Sequence, residues 1–143
     1  KKKIDYILQK EIDWGIKKIS RYKNFSFKVN RKINQIRKII YNLFKKNKTI
    51  GCFTASAKGN TLLNCLKIKK NVIKYTCENN SRKIGKYTPG SHIKIISDNQ
   101  YLKKNIDYSL LLSWNYANFF LKNSAYKKKG GMFIIPFPKI LIK

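Results

Sequence analysis

Thr49-Ile50-Gly51-Cys52-Phe53-Thr54-Ala55-Ser56-Ala57-Lys58-Gly59-Asn60-Thr61-Leu62-Leu63-Asn64-Cys65-Leu66 is the stretch that decides the fold. Its first five residues form a short apolar run suited to a strand, and the small residues after Phe53 permit a tight turn. Leu62, Leu63, Cys65 and Leu66 then supply the packing face of a helix from about Ser56 to Leu66.

Downstream the same grammar repeats. Val72–Cys77 reads as a strand, His92–Ile96 as a short extended piece, Asp107–Leu112 as a buried strand and Met132–Ile135 as another, with Ile140–Ile142 as an edge beyond the prolines. Between them Asp98 is placed to cap a short helix around Tyr101 and Leu102. Tyr116, Phe119, Phe120, Asn123 and Tyr126 make one helical stripe, which Gly130 and Gly131 close. Strands separated by helices of this length predict right-handed crossovers and an α/β fold with a mostly parallel sheet and flanking helices. Functional residues are then expected beyond the carboxyl ends of the strands.

Upstream, residues 1–47 read as a helical lead-in packed on the domain formed by residues 48–143. Ile4, Ile7, Leu8, Ile12, Trp14, Ile16 and Ile19 lie on one helical stripe that Gly15 interrupts, and Ile33, Ile36, Ile40, Leu43 and Phe44 repeat the pattern after Asn30, a plausible cap. Phe25, Phe27 and Val29 alternate with polar residues, which predicts a short extended connection between two helices.

The 143 residues suit one domain, and 43% hydrophobic content argues for an ordered interior in spite of a net charge of +27 from 33 Lys and Arg against 6 acidic residues. Such charge ordinarily points to phosphates. Here the cations are mainly Lys, come with many Asn and Ile, and run through the whole chain instead of forming one basic arm. A genome rich in A and T accounts for that pattern without a nucleic-acid interface. The three cysteines, Cys52, Cys65 and Cys77, lack CxxC spacing and sit beside apolar residues, as buried thiols in a reducing compartment do. With a single His they offer no metal set. The apolar runs are far short of a membrane span and no signal-peptide core follows Lys1–Lys3, so the expected location is cytoplasmic.

Three segments are placed to carry function. In Thr54–Thr61, backbone N–H groups at the helix start can receive a phosphate beside Lys58; the simpler reading is a tight turn in which Gly59 allows close packing and Lys58 is solvated. Its glycine spacing fits neither a Walker loop nor a dinucleotide fingerprint. In Gly85–His92, His92 can exchange a proton or bind a phosphate or sugar hydroxyl, or serve structure alone, since no carboxylate adjoins it in sequence. In Ser113-Trp114-Asn115, Trp114 can pack on a base or sugar and Asn115 can bond a ligand or cap the next helix.

Ala55-Ser56-Ala57-Lys58-Gly59-Asn60-Thr61-Leu62-Leu63-Asn64, Lys83-Ile84-Gly85-Lys86-Tyr87-Thr88-Pro89-Gly90-Ser91-His92-Ile93, Ser113-Trp114-Asn115 and Gly130-Gly131-Met132-Phe133-Ile134-Ile135-Pro136-Phe137-Pro138 occur in that order. Together they resemble the C-terminal domain of the S-adenosylmethionine-dependent sugar C-methyltransferases, closely over residues 48–142 and in general character over the lead-in. The resemblance implies a Rossmann-like domain that helps enclose a nucleotide-linked keto-sugar. It implies Ser56, Lys58, Gly59, Asn60, Tyr87, Thr88, His92, Trp114 and Asn115 as substrate-binding residues. In the family, S-adenosylmethionine belongs to a preceding domain without counterpart here, so this chain is expected to bind no cofactor itself and to act with a separate or missing methyltransferase domain. The alternatives are a stand-alone module that binds nucleotide-sugars or partners a methyltransferase, and a basic nucleic-acid-binding protein. The sequence departs from the family pattern at Thr54, where glycine is typical and Thr is strained at positive φ, at Glu78, where aspartate is usual, and at Phe119, where an acidic residue is common.

Overall fold

A computed structural model describes residues 2–143. The chain divides into two compact units, residues up to Gln35 and Ile36–Lys143.

The first unit holds α1 (Lys2–Trp14) and the greater part of α2 (Ile19–Lys45). Gly15, at φ +84°, ends α1, a conformation that side chains other than glycine rarely adopt. The corner is set by Arg21 Nε donating to Trp14 O at 2.6 Å, by Tyr22 Oη donating to Ile16 O at 2.6 Å, and by the Arg21 guanidinium over the Trp14 ring. None of the residues of α1 is buried, and Ile4, Ile7, Leu8 and Ile12 lie exposed on one stripe. The expected extended connection at Phe25–Val29 is absent: α2 runs straight through it, and Asn30 lies inside the helix with Nδ2 on Ser26 Oγ. Alternation makes a strand only where a sheet edge accepts it. No Gly or Pro interrupts this stretch, and Phe25 and Phe27 stay exposed.

The second unit begins with the last turns of α2, where Ile36 and Ile40 are fully buried. Arg37 Nε donates to Leu66 O at 2.8 Å and Tyr41 Oη accepts from Lys69 N, which ties these turns to the end of α3 (Ala57–Leu66). The sheet follows the order β3-β2-β1-β4-β5-β6, with β1 Ile50–Phe53, β2 Ile73–Cys77, β3 Lys94–Ile96, β4 Tyr108–Leu111, β5 Met132–Ile135 and β6 Leu141–Ile142. All pairings are parallel except β5 with β6. This is a mixed α/β fold with a parallel core and flanking helices. The strand order changes direction at β1 and β4, so their carboxyl ends flank the crevice where ligands of such sheets bind.

Side chains alternate across the sheet. On one face Phe53, Cys77, Ile96, Leu111 and Phe133 pack with Tyr101 of α4 (Asp98–Leu102), Phe120 of α5 (Ala117–Asn123) and Tyr126 of α6 (Ala125–Lys128). Gly51 is required there, because an added Cβ would sit 2.2 Å from Tyr101 Oη. The expected single helix from Tyr116 to Tyr126 is instead a short 3₁₀ turn, Trp114–Tyr116, followed by α5 and α6. Ser124 makes the second break by donating to Phe120 O and capping Lys127 N. Ser97, rather than Asp98, caps α4, reciprocally with Gln100. Cys52 and Cys77 are buried as expected, but Cys65 is exposed on the outer side of α3. No helix among the described residues is long and apolar enough to cross a membrane.

Candidate functional site

The chain leaves β1 through Thr54, whose φ of +68° confirms that a β-branched residue occupies a left-handed position. Three hydrogen bonds compensate locally. Thr54 shares one with Ser113 Oγ at 2.8 Å, Thr76 Oγ1 donates to Thr54 O at 2.7 Å, and Ala55 N donates to Glu78 Oε2 at 3.2 Å. Lys83 completes the clamp, its Nζ 2.9 Å from Ala55 O and 3.3 Å from Glu78 Oε2. Partial burial works against ionisation of Glu78. The N–H groups of Asn80, Asn79 and Ala55 and the Lys83 ammonium outweigh it and hold the carboxyl below its ordinary value.

Ser56 then caps α3, its Oγ accepting from Gly59 N and donating to Leu112 O. Gly59 is buried because helix and sheet meet there; a Cβ would lie 2.3 Å from Leu112 Cβ. Lys58 is not merely solvated. Its Nζ donates to Asn115 Oδ1 at 3.0 Å and stands 4.4 Å from the centre of the Trp114 ring, while Trp114 rests on Phe137 with centroids 5.0 Å apart. Asn115 therefore holds the lysine and caps no helix. The cluster spans the crevice between the ends of β1 and β4, beside the exposed first turn of α3.

A second group surrounds a cavity of about 390 Å³ alongside α3, lined by Ser56, Asn60, Tyr87 and Thr88 together with Lys83 and Lys86. Thr88 is buried and fixes its own turn: its Oγ1 accepts from Ile93 N at 2.9 Å and bonds Ser91 Oγ at 2.7 Å. Asn64 Nδ2 donates to Pro89 O and holds this turn against α3. The structure thus gathers Lys58, Trp114 and Asn115 in one cluster and Ser56, Asn60, Tyr87 and Thr88 around one cavity. His92 joins neither. It is exposed at φ +52° and precedes β3, at the amino end of that strand and away from the carboxyl rim. Its imidazole makes no hydrogen bond among the described residues.

Sequence reading missed the Glu78–Lys83 clamp on Ala55, Phe137 beneath Trp114 and Asn64; Lys83, Phe137 and Asn64 lie in the quoted motifs and Glu78 outside them, but the groups they hold at Ala55, Trp114 and Pro89 are distant in the chain. Another cavity, about 270 Å³, lies among Phe53, Tyr101, Phe119, Phe120 and Tyr126 on the other face. Its lining includes the carboxylates of Glu78 and Asp98, of which Glu78 is already occupied by donors. Among the described residues no group of three His, Cys, Asp or Glu converges as metal ligands do.

A family model described as the C-methyltransferase C-terminal domain matches residues 1–138. The chain belongs to this family. The match includes the helical segment, so residues 1–47 belong to the family's C-terminal domain as well. C-methyltransferase NovU of Streptomyces niveus is 33% identical over 134 residues, which cover 93% of this chain and 32% of that protein. The chain therefore spans about a third of the length of this C-methyltransferase relative and corresponds to the C-terminal domain of such a protein.

Proposed function

We propose that this chain is the substrate-side, Rossmann-like module of an S-adenosylmethionine-dependent nucleotide-sugar C-methyltransferase, holding the nucleotide-linked sugar while methyl transfer takes place in another domain. The observation that carries the reading is the meeting of Lys58, Trp114 and Asn115 at the crevice between β1 and β4, beside the start of α3. The N–H groups of Ala57 and Lys58 and the ammonium are complements to a diphosphate, and the half-buried Trp114 ring lies beside them.

The chain's own residues do not fit S-adenosylmethionine. An acidic residue after β2 is where such a sheet holds a ribose, but Glu78 at that place already takes three backbone N–H groups and Lys83. Calorimetric titration with S-adenosylmethionine is expected to show no saturable binding at micromolar concentrations.

The test of the proposal is titration with uridine diphosphate-glucose and thymidine diphosphate-glucose at physiological salt. Lys58→Ala is expected to weaken binding by roughly threefold to thirtyfold, the equivalent of about 0.7–2 kcal/mol for an anion at a helix start. Lys70→Ala, at an exposed lysine on the amino side of β2, serves as the control for bulk charge. Equal losses from both variants that vanish together as salt rises would defeat the reading. So would loss of binding on His92→Ala with none on Lys58→Ala.

A further inference from the structure

None of the residues of α1 is buried, yet Ile4, Leu8 and Ile12 recur at every fourth position and form one apolar row along it, 61%, 50% and 55% exposed. A helix of 13 residues is marginal in water without tertiary cover, so the row needs an occupant.

Charge selects that occupant. The chain carries +27, and from Lys17 to Gln35 there are seven basic residues and no acidic one, a surface that repels a second copy. α1 does not, because Lys2, Lys3 and Lys10 balance Asp5, Glu11 and Asp13. An anionic lipid surface favours a helix with a cationic polar face, which α1 lacks; Asp5 and Glu11 flank its apolar row.

The charges also run against the helix dipole. Lys2 and Lys3 share the first turn with Asp5, while Glu11 and Asp13 stand at the other end, where the last turn holds no basic residue. A parallel pair of α1 helices would set lysines against lysines and acids against acids. An antiparallel pair lays the Lys2–Lys3 end of one copy beside the Glu11–Asp13 end of the other, and the spacing of the row then faces Ile4 with Ile12 and puts Leu8 against Leu8.

We propose that α1 is a self-association surface on which two copies of this chain pair antiparallel about a two-fold axis at Leu8. Such an interface is isologous, the same row serving both copies.

The experiment is sedimentation equilibrium of the full chain at physiological salt. The weight-average mass is expected to rise from one chain towards two between about 5 and 500 µM, the range for an interface this small. Leu8→Glu is expected to weaken association at least about tenfold with no fall in melting temperature, since nothing in α1 is buried. Tyr6→Glu, at an exposed ring on the opposite side of α1, is expected to leave it unchanged. For the geometry, cysteines are introduced in a Cys65→Ser background, which removes the exposed thiol, and joined with a short bismaleimide. Leu8→Cys is expected to cross-link with itself, and Ile4→Cys with Ile12→Cys rather than with itself. A chain that stays monomeric over the whole range overturns the proposal, whether or not it sediments with phosphatidylserine vesicles. Association that persists in Leu8→Glu, or cross-linking of Ile4→Cys to itself in preference to Ile12→Cys, overturns it as well.

Discussion

The two turns that frame the candidate site are held by opposite means. In the turn after β1, from Thr54 to Asn60, the ties are long-range: Thr54 to Ser113, Ser56 to Leu112 and Lys58 to Asn115. In the turn before β3, from Gly85 to His92, they are mostly local: Thr88 holds Ser91 and Ile93, and His92 N returns to Thr88 O. Asn64 supplies a link outward. The first turn is therefore a property of the sheet, with its charged group preset at the crevice. The second is a self-contained wall that exposes Tyr87 and His92 to solvent.

Breaking the first turn should cost most. Gly59→Ala drives a Cβ to 2.3 Å from Leu112 Cβ and 3.1 Å from its Cα, backbone that cannot easily move. It is expected to destabilise the protein by about 3 kcal/mol in urea denaturation, the upper part of the range for overpacking. Gly85→Ala is the matching change in the second turn. Its Cβ meets nothing within 4 Å, so only the positive φ of +86° opposes it, at about 1–2 kcal/mol.

Thr88→Val tests whether the second turn is held from within. It leaves the buried N–H of Ile93 without its side-chain acceptor, for an expected loss of about 2 kcal/mol by the same denaturation measurement. Uridine diphosphate-glucose binding to the Lys58 cluster should survive in the fraction that remains folded.

Thr54 sharpens the comparison further. Thr54→Val and Thr54→Gly both lose the bond to Ser113, but only glycine relieves the left-handed backbone. Glycine's greater freedom in the unfolded chain offsets part of that relief, so Thr54→Gly is expected to be about 1 kcal/mol more stable than Thr54→Val. Thermal unfolding of the pair decides it; a melting temperature lower in Thr54→Gly than in Thr54→Val would mean that the Thr54 backbone is unstrained.

The smallest effect is electrostatic. The Glu78 carboxyl lies below its ordinary 4.5 in the folded protein, so its contribution is present above that value and is lost as pH falls through the lower folded value. Stability measured down this acid limb should decline less steeply in Glu78→Gln than in the unaltered chain. Identical slopes would remove Glu78 from the clamp.

The sequence by itself determined the order and kind of the elements from β1 to β6, because apolar runs, small-residue turns and glycines act over a few residues. It also located the strain at Thr54 and the close packing at Gly59, since both follow from what a side chain does at a turn between strand and helix. Local pattern failed where a distant or missing partner decided the outcome. Phe25–Val29 alternates like a strand, yet no sheet edge receives it and α2 continues through. Tyr126 lies on the stripe of the preceding helix, yet the hydroxyl of Ser124 ends one helix and starts another. The site divides in the same way. Chemistry at the β1–α3 turn was legible from residue types, but only the tertiary structure joined Lys58 to Trp114 and Asn115, buried Asn60 Oδ1 beside an apolar cavity, and set His92 apart. Parallel pairing of β1 with β4 brings together side chains more than fifty residues apart, and the spacing of residues along the chain carries no record of that juxtaposition.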